Sequence, residues 1–341
     1  ISQRPLEPRV AAPHPMRTTF GIAAAAALLA QGCAAAAAAG SWIGMSPDYG
    51  SGVVDLFNLQ GKAERGANVA TVPISQQERV AVDSFRCRPG GTFCLFTTTN
   101  SKDSSWLYNV SLTSGVINSK TALPNMIAHN LHVDMASGAA YTVALGTSSV
   151  KIIQVYAGAI TDLIDLSSHF GANDTVPVGG TTQCSDTDIM WVGIKSGSAG
   201  EPDRVITTHL PTRNVSGVRS LTQPLPTSLW ASCQDSTKVN KLGGIAMLGG
   251  RPATFGYVWI NESGGFDVVE SAPVPTGGAP VVLSGLLSEP PFTAYFTALY
   301  PATAEPGDDV QGFVAFGTNR AGAALSVSPI NYYLTGAAAV F

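Results

Sequence analysis

The chain has 341 residues, 45% of them hydrophobic and only 12% charged, about half the charged share of an average globular domain. Its formal charge is −4, and from residue 40 onward 16 Lys plus Arg face 22 Asp plus Glu. With no basic stripe, nucleic acid and anionic membrane are poor partners. The 36 Gly and 22 Pro favour many short strands joined by turns over long amphipathic helices.

Residues 1–15 read as an upstream extension before Met16. From Met16 the chain runs MRTTFGIAAAAALLAQGCAAAAAAGSW: Arg17, an apolar run, then small residues with several A-x-A points in Ala35–Ala39. This is the order of a secretory signal, so residues 16–39 are expected to direct export and be removed. A membrane anchor fits less well, because Phe20–Ala39 is Ala-rich and interrupted by Gln31-Gly32-Cys33. Leu29-Ala30-Gln31-Gly32-Cys33 is also an imperfect lipobox, so a lipid anchor through Cys33 is the alternative to a secreted, extracellular protein.

Residues 40–341 repeat one pattern about every fifty residues: an apolar strand, a polar turn, a second strand, a loop, then a hairpin. Its clearest instances are Ser105–Asn118, Val150–Leu166, Phe255–Ser271 and Gln311–Val327. A unit of that length with four short strands is what one propeller blade needs. The third strands centre on Val54, Leu107, Ile153, Ile206, Val258 and Val314. The second strands fall at Trp42–Met45, Phe93–Thr97, Tyr141–Leu145, Met190–Ile194, Gly244–Leu248 and Ala294–Leu299. The expectation is an all-β, six-bladed β-propeller of four-stranded blades. Asn331–Leu334 reads as a last inner strand that completes the first blade and removes open edges. Gly336–Phe341 resembles Gly138–Val143, as if another second strand were beginning, so seven blades with a truncated C-terminus is the alternative.

On this repeat, residues 40–341 resemble extracellular repeat propellers, the lactonase-like and quinoprotein-like rings. No WD dipeptide, regular kelch double-Gly or Asp-box stands at a fixed place in each unit, so no family's site residues transfer.

Export makes the cysteines after Cys33 candidate disulfide partners. Cys87 and Cys94 flank RPGGTF, a tight turn, and can close across a hairpin. Cys184 and Cys233 open successive units at matching places, which would allow a bridge between neighbouring inner strands. Asn109, Asn173, Asn214 and Asn261 begin Asn-x-Ser/Thr sequons and are the glycosylation candidates.

The loops between second and third strands are long and polar: Ser46–Gly52, Thr99–Ser105, Ser196–Asp203, Gly249–Thr254 and Tyr300–Val310. A rigid ring presents such loops for recognition. They carry Asp48, Asp103, Glu201, Asp203, Glu305, Asp308 and Asp309 against Lys102 and Arg251, so this face is expected to be acidic and to bind a ligand. For each acid singly, a solvated turn is the simpler role.

His129 and His132 precede Asp134 within one inner-strand pattern. Residues three apart on a strand face opposite ways unless it bulges. His132 and Asp134 share a face, and with Asp186 they could hold an ion at the channel mouth. Asp188, Asp235 and Glu289 come from corresponding stretches and would extend an oxygen set suited to Ca²⁺. Acids capping turns after inner strands explain the same pattern without a metal. No Gly-x-Ser-x-Gly, His-Glu-x-x-His or phosphate loop is present.

The expected function is therefore a secreted, monomeric, non-catalytic module binding an extracellular protein, glycan or small ligand on the acidic face. The alternative is a metal-dependent lactonase-like hydrolase using His132, Asp134 and Asp186.

Overall fold

The computed structural model describes residues 41–60, 64–88, 92–100, 104–134, 137–177, 179–183, 189–232, 241–249, 254–273, 281–287, 294–301, 312–318 and 326–340. The first described strands are β1 (Ser41–Asp48), β2 (Val53–Gln60) and β3 (Glu64–Pro73). The first blade follows, β4 (Arg79–Cys87), β5 (Phe93–Thr99), β6 (Ser105–Ser111) and β7 (Ile117–Leu123). The second is β8 (Ile127–Val133), β9 (Ala140–Leu145), β10 (Val150–Tyr156) and β11 (Ala159–Asp165). The third is β12 (Thr181–Gln183), β13 (Ile189–Ile194), β14 (Arg204–His209) and β15 (Asn214–Ser220). The fourth is β16 (Ser228–Ser232), β17 (Lys241–Gly249), β18 (Thr254–Ile260) and β19 (Phe266–Pro273). The fifth is β20 (Val281–Leu287), β21 (Ala294–Pro301), β22 (Gly312–Thr318) and β23 (Ser326–Ile330), and β24 (Gly336–Val340) is the last described strand.

The expected blade count and closure need correcting. Five blades are each built from four consecutive strands, and the other four strands form a composite closing sheet in the order β24-β1-β2-β3. The closing strand is Gly336–Val340, paired antiparallel with Ser41–Met45, whereas Asn331–Leu334 forms the bend leading into it. The stretch that suggested an unfinished seventh unit is therefore the closure itself. Its small residues have a steric reason: a Cβ on Gly336 would lie 2.7 Å from the Cβ of Phe85. Tyr332, Tyr333 and Leu334, which read as strand, pack instead with Phe57 and Leu59.

The inner strands β24, β4, β8, β12, β16 and β20 contact one another in that cyclic order and return to β24. Second strands are buried on both faces, as in β5 and β13, because a neighbouring sheet covers each side. They therefore read as continuous apolar runs. Outer strands β7 and β15 are mostly exposed and polar, which blunts their open edges.

The cores are seams between sheets. Met45, Val54 and Leu56 of the closing sheet meet Phe85, Phe96 and Tyr108 of the first blade. Val143 and Ile152 of the second blade meet Val192 and Ile206 of the third. Because successive strands alternate in direction, second-to-third loops and blade-to-blade connections emerge on one face. The remaining hairpins emerge on the other.

Candidate functional site

On the long-loop face, the connection leaving β11 and the β13–β14 loop enclose an open cleft of about 420 Å³. Asp165 begins it: its Oδ1 accepts the Ser167 N–H at 2.8 Å and starts a short 3-10 turn, Ser167–His169. Leu166 is buried, and Phe170 packs against the seam between the second and third blades. Thr175 and Lys195 then exchange backbone hydrogen bonds at 3.0 and 2.9 Å, fastening the connection to the end of β13.

Asp174 forms the base of the cleft. Its side chain is 5% exposed and paired with Arg204. It also accepts the N–H groups of Gly171 at 2.8 Å and Gly197 at 3.0 Å. These two backbone bonds, aided by the Arg204 charge, hold its carboxyl below the ordinary aspartate value. Asp203 pins the other end: Oδ1 accepts the Ser196 N–H at 2.9 Å and Oδ2 the Leu225 N–H at 2.6 Å. Two carboxylates thus fix a loop that its Ser and Gly content would leave loose. Ser168, His169, Phe170, Ser198, Glu201 and Arg204 supply most of the remaining lining.

The predicted acidic positions fall unevenly. Glu201 lines this cleft and Asp203 braces the same loop. Asp48 is in the closing sheet, exposed, with Oδ1 accepting the Gly50 N–H at 3.0 Å and that of Ser51 at 3.2 Å, so it caps its own turn. Asp103, Glu305, Asp308 and Asp309, with Lys102 and Arg251, lie outside the described residues.

His132 is buried, with Nε2 3.0 Å from Thr181 Oγ1 of the third blade. Burial, together with the Arg86 charge, pushes its pKa well below the ordinary imidazole value, so it is neutral there. A bulge falls between His129 and Leu131, where Asn130 has φ of 55°. His129 then faces Val143 and His132 faces Tyr141, two residues apart, which places both histidines on one side of the sheet. Asn130 Oδ1 accepts the Gly179 N–H at 2.9 Å, so the bulge ties the second blade to the third. Asp134 Oδ1 accepts the Ser137 N–H at 2.7 Å in a turn. Asp186, Asp188, Asp235 and Glu289 lie outside the described residues.

Cys87 and Cys94 form a disulfide between β4 and β5, while Cys184 and Cys233 lie outside the described residues, as do Cys33 and residues 16–39. Asn173, on the connection beside the cleft, and Asn214 are exposed. Asn109 accepts from Asn118 Nδ2 at 2.9 Å, and Asn261 accepts the Gly265 N–H at 2.9 Å. No helix among the described residues is long and apolar enough to cross a membrane.

Sequence reasoning missed Phe170, Asp174 and Arg204. Asp174 registered only as the middle residue of a sequon, and its partner is 30 positions away. It also missed Glu78, whose carboxylate is 2% exposed and 2.7 Å from Lys120 Nζ. Tyr108 donates to it at 2.7 Å, and Thr98 donates as well. Glu78 follows a polar Ser-Gln-Gln run, and nothing local marks it as buried.

No family model and no curated protein matches the chain. Solved structures are similar to it in fold. A chain of the nidogen/laminin complex is 9% identical, with a TM-score of 0.53 over 89% of this chain and 98% of that one. A hypothetical selenium-binding protein from Sulfolobus tokodaii is 11% identical, with a TM-score of 0.50 over 89% of this chain and 92% of that one. Likeness at such identities is likeness of fold, and together with the cycle of inner strands it makes this chain a β-propeller.

Proposed function

We propose that this protein is a secreted, non-catalytic binding module that receives its ligand on the long-loop face. The observation that carries this reading is the braced cleft between the second and third blades. Its walls are fixed by Asp174 and Asp203, while Ser168, His169, Ser198 and Glu201 make no side-chain hydrogen bond to another described residue. A site whose frame is satisfied internally and whose lining is not is arranged to bind. The acidic residues Asp48, Asp103, Glu201, Asp203, Glu305, Asp308 and Asp309 would bias that face toward neutral or cationic partners. Secretion through residues 16–39, glycans on the exposed Asn173 and Asn214, and the Cys87–Cys94 disulfide belong to one extracellular reading. One chain of similar fold comes from a complex of two proteins, which agrees with a binding role.

A printed array of extracellular-matrix proteins and glycans tests it with two variants. Ser198→Trp fills the cleft from an exposed loop position, and Tyr156→Ser alters the opposite face, where Tyr156 is 55% exposed. Array binding should fall at least tenfold in Ser198→Trp and stay unchanged in Tyr156→Ser. The reverse pattern would contradict the reading, as would turnover of lactone or ester substrates by the purified chain.

A further inference from the structure

We infer that the cleft between the second and third blades binds one or two rings of a neutral saccharide, with Phe170 as the surface on which a ring lies. This extends, and rests on, the reading of the protein as a binding module. Phe170 is half-buried, packed against the core seam while also lining the cleft. Its ring is therefore held still and offers a flat apolar face at little entropic cost. Around it stand two hydroxyls (Ser168, Ser198), an imidazole (His169) and a carboxylate (Glu201), none with a side-chain hydrogen bond to another described residue. Arg204 directs its Nη2 to Asp174 and remains 30% exposed, leaving further N–H donors for a ligand. An apolar plate ringed by mixed donors and acceptors matches a sugar, whose ring carries C–H groups on its face and hydroxyls on its rim. Each hydroxyl both donates and accepts.

Charge narrows the choice. Asp174 and Arg204 cancel, and Glu201 is the remaining formal charge among the lining residues other than His169, so an acidic sugar would be repelled. The cleft's volume of about 420 Å³ is at the small end of small-molecule sites, about 300–1,000 Å³. That admits a ring or two. The bonds from Asp174 to Gly171, Gly197 and Arg204 assemble the cleft before any ligand arrives, which lowers the cost of binding.

The test titrates the full chain with glucose, galactose, mannose, fucose, N-acetylglucosamine and their disaccharides. Glucuronate and glucosamine serve as charged controls, read by saturation-transfer NMR and calorimetry. At least one neutral sugar should bind, with Phe170→Ala weakening it at least tenfold and Glu201→Gln severalfold. Ser198→Trp, which leaves the core seam alone, should abolish it even if Phe170→Ala proves unstable. Binding of no neutral sugar, or sugar binding indifferent to Ser198→Trp, overturns the inference. If array proteins bind through the cleft and sugars do not, this inference falls while the binding-module reading stands. If neither binds, both fall.

Discussion

Ending the chain at Thr335 is expected to destabilise the ring by at least about 4 kcal/mol, beyond the usual range for a point mutant. The lost residues are the innermost strand of the closing sheet, paired with β1 at Ser41↔Val340 through Met45↔Gly336. Ala337 and Ala338 are buried there, against sheets on both sides. Without them, Ile43, Met45 and Phe85, each at most 4% exposed, lose their cover. Apolar surface returned to water costs about 25 cal/mol per Å², and the freed edge of β1 becomes a template for aggregation. A milder variant separates closure from expression failure. Gly336→Val must push β24 and β4 apart, because its Cβ position lies 2.7 Å from the Phe85 Cβ, an overpacking cost of about 1–3 kcal/mol. Urea unfolding reads both. A truncated chain with the full-length midpoint would mean that the terminal strand is dispensable.

Replacing Glu78 by Ala should cost about 3–5 kcal/mol, the range for breaking a buried ion pair. Three donors converge on this carboxylate: Lys120 at 2.7 Å, Tyr108 at 2.7 Å and Thr98. Tyr108 is itself buried and stacked on Phe96, with centroids 4.8 Å apart, so its hydroxyl cannot turn to water once Glu78 is gone. Lys120 is 37% exposed and can, which keeps the cost from rising further. Glu78→Gln preserves shape and acceptor but not charge, and should cost about 1–3 kcal/mol. Its pH dependence identifies the cause. Burial opposes the charge on Glu78, but the bonds from Lys120, Thr98 and Tyr108 outweigh it and hold the carboxyl below 4.5. The unfolded chain therefore takes up a proton before the folded one as pH falls. The stability from this group is complete above pH 4.5 and lost as pH drops through the folded value. The gap between wild type and Glu78→Gln in urea midpoint should be wide at pH 7 and close in acid. A gap that is absent at pH 7, or that does not narrow as the pH falls below 4.5, would refute this assignment.

Much of the ring was legible because a propeller repeats itself. Val54, Ile153, Ile206 and Val258, chosen as third-strand centres from spacing alone, are all completely buried. Covered strands leave continuous apolar runs that period and turn residues can delimit. The closure was misplaced because Gly-Ala-Ala-Ala carries no strand propensity: small side chains suit that crowded position, while Tyr332 and Tyr333 imitate a strand next to it. The loop face was legible as lengths and charges, yet the cleft was not. It depends on Asp174 meeting Arg204 across 30 positions and on Phe170 turning inward, and long-range pairing leaves no periodic trace. The side-by-side placement of His129 and His132 likewise hangs on one bulge at Asn130.

The seam between the closing sheet and the first blade requires that the two ends of the propeller meet in one sheet. Amide hydrogen exchange of the intact chain, resolved to the peptide covering Ala337–Val340, measures this directly. Protection matching that of Ile43–Met45, lost together with it in urea, is the predicted result. Exchange of that peptide at the rate of an unstructured tail, with β1 still protected, would contradict ring closure.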